Sequence, residues 1–545
     1  MATEKNDTAE AVDTLEDAPR TFGTLDKTFD LAKHANNEEH NLTLREALRQ
    51  YPRAVMWSIL LSTSIIMEGY DIVLMSSFFA QPAFSEHFGT YDPGTGKYQI
   101  TASWQNGLSN AVSVGTMVGA FANGYFTHKF GYRKVLLASL CLITVFIFIP
   151  FFAVNLPMLL VGEFLCGIPW GFFATMAPAY ASEICPMALR GHLTVYVNLC
   201  WAFGQLISAG VQAGFSENPT QWAYRIPFAI QWAWPIPLFA VLWFAPESPW
   251  YYVRINRPDL AEKSLARLGS AGPSGRMKTS AREAVAMMIH TNELEKRVDE
   301  GTSYLDCFRG VELRRTEIVC MAFAAQPFCG SSMGGTPTYF FVQAGLPNTI
   351  SFQMSCGGLG LAALGTIIAW WLMQHLGRRT LYLWGLGLLT AILLTVGFIS
   401  VGTSSASVAG NYAQATMMLL WLFVYYLTVG PICYAIIGET SSTRLRTKSV
   451  CLSRIVYYAA QIVCNVVNPY MLNPTAGDWK GKTGFFWGGM AFLFFVWTWF
   501  RLPEMRGKTF EELDILFARG VGTREFGGYR VDAYAEGDAA LRKVE

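Results

Sequence analysis

The chain has 545 residues, of which 52% are hydrophobic and only 15% charged, with 49 glycines and a mean hydropathy of +0.28. This is the composition of a protein that crosses a membrane many times. A formal net charge of +1 leaves no domain with the basic surplus that phosphate binding needs, so no nucleic-acid partner is expected.

Residues 1–53 are polar and acid-rich, with no apolar core of the kind a cleavable signal carries, so they are expected to form a cytosolic tail. The run from Val55 to Phe84 follows, long enough to cross a bilayer and carrying Glu68 and Asp71 in its middle. Residues three apart on a helix share a face, so both carboxylates point the same way. Ionisable groups inside a span line a water-filled cavity or a substrate or ion path, which makes a transport role the first expectation.

Further spanning runs follow at 104–127, 134–153, 156–182, 192–214 and 223–244, then at 317–343, 350–375, 380–401, 411–438, 448–471 and 484–501. With the first at 54–80 they total about twelve, which predicts an all-α polytopic protein in two six-helix halves, 54–245 and 317–501. Between them, 246–316 reads as a cytosolic linker whose sequence AREAVAMMIHTNELEKRV has a helical period, and 502–545 reads as a cytosolic tail. Lys and Arg concentrate at 128–134, in the linker, at 375–379 and at 443–448, all on one side if the N-terminus is inside, so both termini are expected in the cytosol.

The eleven cysteines lie in apolar segments or at their cytosolic ends, except Cys307, and read as small packing residues. No Cys/His spacing resembles a zinc site, and neither a P-loop nor a G-x-S-x-G elbow occurs. An enzyme is not expected, nor a metal or cofactor.

The two halves repeat each other. FGYRK after the second span returns as LGRRT after the eighth, and Glu183 with Arg190 returns as Glu439 with Arg446. Pro246-Glu247-Ser248 after the sixth span returns as Pro503-Glu504-Met505 after the twelfth, 64 and 65 residues beyond the preceding glutamates. Such duplication is a signature of transporters, whose substrate site lies near the midplane between the repeats.

These loops carry a family resemblance from Val55 to Phe517. Gly131-Tyr132-Arg133-Lys134, Gly377-Arg378-Arg379, PESPWYY at 246–252 and PEMRGKTFEELD at 503–514 resemble the sugar porters of the major facilitator superfamily. EGYD at 68–71, the stretch 166–191 and YVNLCWAFGQ at 196–205 look more narrowly like fungal maltose and α-glucoside permeases. That resemblance implies a major facilitator fold and proton symport of an α-linked disaccharide such as maltose across the plasma membrane, with a monomer in lipid as the working unit. A carrier of another sugar, such as a β-linked disaccharide or a hexose, and a non-transporting sugar sensor on the same fold remain open. The chain departs from the sugar-porter pattern at Trp250, where PESPR has arginine, and at Glu163, where hexose carriers have arginine. It also departs in Gln326-Pro327-Phe328-Cys329-Gly330 and at Tyr434, where tryptophan is usual.

A sugar site should combine amides with aromatic rings. If the family arrangement holds, Asn198 and Gln205 of the fifth span, Gln326, Tyr434, and Tyr457 with Gln461 supply it. The same amides could instead only bond neighbouring helices, and Trp201 reads as a packing residue. Arg454, inside the eleventh span, needs an anion, and Glu68 and Asp71 are the expected partners; one excess negative charge then points to proton binding. Glu163 is a further candidate, as a coupling, gate or packing residue. Arg133, Glu183, Arg190 and Glu247, with Arg378, Arg379, Glu439, Arg446 and Glu504, are expected to form ion-pair networks when the cytosolic face closes, although loop arginines also serve as simple topology signals.

Overall fold

The computed structural model describes residues 44–93, 96–269, 281–299, 304–334, 337–403, 407–442, 445–506, 508 and 510–529. In some helices it describes the backbone but not every side chain.

The first half contains spans 1 to 6: Pro52–Phe78, Ala102–Phe130, Tyr132–Phe151, Leu156–Ile184, Met187–Phe215 and Trp222–Leu242. The second contains span 7, broken between Gly310 and Gln343, and spans 8 to 12: Asn348–His375, Arg378–Gly402, Val408–Thr440, Arg446–Leu472 and Thr483–Arg501. Nine of these, among the described residues, are long and apolar enough to cross a membrane. Spans 2 and 5 lie outside that set because amides such as Gln105, Asn198 and Gln205 dilute their apolar sequence, and span 7 because its longest unbroken helix, Gly310–Gln326, is short and carries charges in its first turns.

Connectivity defines two ends. A short β-hairpin, Thr90–Asp92 paired with Lys97–Gln99, joins spans 1 and 2. The linker, with helices Pro249–Arg254, Pro258–Leu268 and Ala281–Asp299, joins spans 6 and 7 at the opposite end. The last of these is the helix expected from the period of the linker sequence, and Val253, Ala261, Leu265, Val285 and Met288 give the three helices a small core of their own.

Packing repeats between the halves. Span 2 packs on 4 and 1 on 5 in the first half, as 8 packs on 10 and 7 on 11 in the second; the halves meet where 5 touches 8 and 2 touches 11. Spans 2 and 4 approach closely, where side chains on Gly115 and Gly119 would strike the backbone of Phe164 and Ile168. Lipid supplies no hydrophobic drive between helices, so small residues that let backbones touch maximise dispersion contact.

Three local breaks position the cavity. Thr63 and Ser64 turn their hydroxyls back to the carbonyls of Leu60 and Leu61 at 2.6 and 2.7 Å and divide span 1 just before Glu68; such back-bonding bends helices. Span 7 breaks at Gly330, whose φ of 95° belongs to the left-handed region, and the Trp421 indole donates to the Cys329 carbonyl at 3.2 Å. Span 10 breaks at Thr428, and the Gly430 carbonyl accepts from Gln326 Nε2 at 3.1 Å. Backbone groups freed within a membrane need such partners.

None of the eleven cysteines forms a disulfide. Cys307 is fully buried against the start of span 7, although its charged surroundings gave no sign of it.

Candidate functional site

A cavity of about 370 Å³ lies between the halves, in the size range of small-molecule sites. Asn198, Gln205, Gln326, Tyr434, Tyr457 and Gln461 all line it, as do Glu68, Asp71 and Arg454. Trp201, expected to be a packing residue, lines it too. Sequence reasoning missed Gln105, Tyr339, Tyr426, Asn465 and Asn468. A helical signal existed for the last two, which continue the face of Gln461 at four and seven residues further on.

The walls differ in chemistry. Spans 1 and 5 present carboxylates and amides, whereas spans 10 and 11 present Tyr425, Tyr426, Tyr434, Tyr457 and Tyr458 around Arg454. Gln326 faces the cavity with its Nε2 committed to Gly430, so it holds the span 10 break as well as lining the site.

Arg454 departs from expectation. Its guanidinium sits over the rings of Phe323 and Tyr434, 4.8 and 5.3 Å from their centroids, with Glu68 within electrostatic reach. Aromatic faces thus supply much of the negative potential that carboxylates alone were expected to provide. Asp71 turns elsewhere: its Oδ1 accepts from Gln231 Nε2 of span 6 at 2.8 Å, and its Oδ2 has no hydrogen-bond partner. Glu163 is also 1% exposed, has no partner at either oxygen, and lies outside the cavity lining within electrostatic reach of Asp71. Of the expected grouping on one arginine, Glu68 lies within electrostatic reach of Arg454 and of Asp71, whereas Asp71 bonds to Gln231 and lies within electrostatic reach of Glu163 as well. The reason is tertiary: span 4 packs behind span 1 and brings Glu163 to its far side.

Among the described residues, side-chain hydrogen bonds cross between the halves from the midplane to the hairpin end. Tyr426 donates to Gln205 Oε1 at 2.8 Å, Asn465 to Ser113 at 3.4 Å, Gln105 to the Tyr339 hydroxyl at 3.2 Å, Asn473 to the Ile100 carbonyl at 2.8 Å and Thr349 to Glu217 at 2.9 Å. Toward the linker end Tyr434 is 39% exposed. The cavity is closed on the hairpin side and opens on the linker side.

At the linker end the expected charge networks take a different form. Glu183 accepts from Arg254, from the Ser248 hydroxyl and from the Tyr132 hydroxyl, the last at 2.8 Å. Glu439 pairs with Arg378 at 2.9 Å. The side chains of Arg190 and Arg446 lie outside the described residues. Arg254 restores the charge missing at Trp250, because one helical turn separates the two positions on Pro249–Arg254.

Arg133 and Arg379 differ from expectation in that each extends over an indole, Trp243 and Trp499, with centroid distances of 5.9 and 5.8 Å, and donates to the carbonyl of that tryptophan. The end of span 6 or 12 places this ring beside the arginine, while the nearby carboxylate, Glu247 or Glu504, is occupied by backbone N–H groups.

Glu247 and Glu504 are caps. Glu247 accepts the backbone N–H groups of Tyr132, Arg133 and Ser248 at 2.9, 3.1 and 3.0 Å. Glu504 accepts those of Arg378, Thr380 and Arg506 at 2.9, 3.4 and 3.2 Å. A carboxylate at a helix N-terminus satisfies orphan donors and complements the helix dipole. Burial pushes the Glu247 carboxyl above its ordinary range, and its bonds to the N–H groups of Ser248, Arg133 and Tyr132 draw it back. A side chain on Gly131 or Gly377 would occupy the space of these carboxylates, which explains the repeated glycine.

Two repeated six-helix halves around a central polar cavity open at one end define a membrane carrier of the major facilitator fold. The chain belongs to the sugar (and other) transporter family, which it matches over residues 57–517. It is 38% identical over 525 residues to the maltose permease MAL31 of Saccharomyces cerevisiae, covering 95% of this chain and 84% of that one. It is equally 38% identical over 532 residues to a general alpha-glucoside permease of the same species, covering 97% and 85%. Among solved structures, the partially occluded inward-open xylose transporter XylE from E. coli superposes with a TM-score of 0.67 over 84% of this chain and 99% of that one, at 18% identity. That likeness supports the fold.

Proposed function

We propose that this protein takes up an α-linked disaccharide of the maltose type together with a proton, by alternating access, at the plasma membrane. The observation that carries this reading is a cavity between the halves with amides on both walls, a carboxylate pair on one and tyrosines around an arginine on the other. Amides pair with sugar hydroxyls and rings pack on sugar C–H faces. The relatives named as maltose and alpha-glucoside permeases support the substrate class. The Lys and Arg distribution supports a cytosolic linker end with both termini inside, so the cavity here faces the cytosol. A monomer surrounded by lipid suffices, because both halves of the site come from one chain.

Asp71 and Glu163 are the proton site in this reading. Two buried carboxylates within electrostatic reach of each other, Asp71 at the cavity wall and Glu163 behind it, cannot both stay ionised without a cation, and a proton that enters by the cavity is the smallest one available. Glu68 and Arg454 face each other within the sugar cavity and link its occupancy to that site. Glu183 with Arg254 and Glu439 with Arg378 brace the linker end of each half, and Arg190 and Arg446 complete the gate when the halves close there.

Uptake of a labelled sugar panel in cells lacking their own carriers tests the reading. Maltose accumulation above the external concentration, abolished by a proton uncoupler, is the expected result. Accumulation of cellobiose or glucose in its place, or maltose binding without flux, would overturn it in favour of another sugar or a sensor.

A further inference from the structure

At the middle of the cavity, the Tyr426 hydroxyl of span 10 donates to Gln205 Oε1 of span 5 at 2.8 Å. Both residues line the cavity, at 5% and 3% exposure, and they belong to different halves. The phenol is well braced: Tyr426 meets Tyr425 edge to face at 5.3 Å, and Tyr425 stacks on Trp421 at 5.1 Å and 9°.

We propose that Tyr426 is an internal competitor for the sugar and thereby a specificity-determining residue: its hydroxyl holds the Gln205 acceptor in the empty cavity, and one sugar hydroxyl replaces it there on binding. This rests on the reading of Gln205 as a sugar-site residue. A buried amide oxygen left without a donor carries a desolvation cost, so the empty carrier needs a donor at that point. A phenol O–H and a sugar O–H each offer one donor to the same acceptor, so the exchange keeps the number of hydrogen bonds and is selective for a ligand that presents a hydroxyl at that position. A ligand without one offers Gln205 nothing, so Tyr426 keeps its bond there and the ligand forgoes that contact, which is how a site built for hydrogen bonding discriminates.

The bond also has a particular place in the assembly. Of the five side-chain bonds between the halves described above, the other four lie nearer the hairpin end. Tyr426–Gln205 is the innermost, where the closed part of the interface meets the open cavity. Sugar that takes Gln205 therefore removes the contact between the halves nearest the substrate, and occupancy acts directly on the interface that must open next.

Maltose binding to the purified protein, followed by calorimetry or tryptophan fluorescence, tests this through a double-mutant cycle. Tyr426→Phe keeps the stacked ring and removes the competing donor. It should tighten maltose binding about five-fold, in line with one net hydrogen bond, and the gain should vanish in the Gln205→Ala background. In a series of monodeoxy maltoses, the gain should disappear for one hydroxyl position only. Weaker or unchanged binding by Tyr426→Phe, an equal effect in both backgrounds, or an equal gain for every deoxy sugar would overturn the proposal. Unchanged binding by Gln205→Ala alone would remove the reading of Gln205, and the competitor role with it.

Discussion

Gln231 is an uncharged residue set against two carboxylates. Its Nε2 donates to Asp71 Oδ1 at 2.8 Å, and it is itself buried. Replacing Gln231 with leucine leaves the buried Asp71 carboxyl without that donor, at a cost of about 1–3 kcal/mol. Uphill sugar accumulation should then fall several-fold, measured against external concentration at matched surface amounts. Gln231→Asn, which keeps the amide on a shorter arm, should lose less. Unchanged accumulation in a well-expressed Gln231→Leu would show that Asp71 does not load the proton. Glu68, Asp71 and Arg454 were legible because a charge inside an apolar run has few bland explanations. The pairing of Asp71 with Glu163 was not, since no spacing within one helix encodes which carboxylate a neighbouring helix brings alongside. Tyr426 was missed for a related reason: a tyrosine in an apolar span counts as apolar until its hydroxyl finds a partner.

At the scale of elements, the short helix Pro249–Arg254 shows how a local motif can vary while its contact persists. The guanidinium that reaches Glu183 comes from Arg254, four residues after the position occupied by Trp250. Arg254→Leu leaves a half-buried carboxylate with only hydroxyl donors, a loss of about 1–3 kcal/mol, visible as a lower melting temperature in detergent. Introducing Trp250→Arg into that variant should restore most of the loss, because the position one turn earlier lies on the same helical face. Failure of the second substitution to rescue would mean that the loop geometry accepts a charge from Arg254 alone. The same comparison marks the limit of reading the pattern by eye. The span order and the repeated glutamates were evident from the apolar runs and loop spacings. The partners of those glutamates depended on side-chain reach, so Arg133 and Arg379 were expected in ion pairs and instead lie on Trp243 and Trp499.

For the whole molecule, closure at the hairpin end and opening at the linker end describe one of two states that must exchange. Glu217 and Thr349, joined at 2.9 Å across the halves, sit on the closed side. Cysteines at both positions, oxidised or bridged by a short bifunctional reagent, should hold the carrier in this state. Uptake should be abolished and then recovered on reduction, whereas either single cysteine should transport normally. Persistent uptake by the cross-linked protein would show that this contact need not open during transport. The two joints capped by Glu247 and Glu504 carry a consequence for descent. Each carboxylate grips main-chain N–H groups, so the joint depends on the acid and on the glycine beside it and is indifferent to the side chains that supply the amides. After the duplication that the repeated loops record, Tyr132 and Arg378 could therefore differ without loosening the joint, provided that each still served the equivalent glutamate, Glu183 or Glu439, while the Gly and the Glu remain as a fossil by which the two copies still recognise one another.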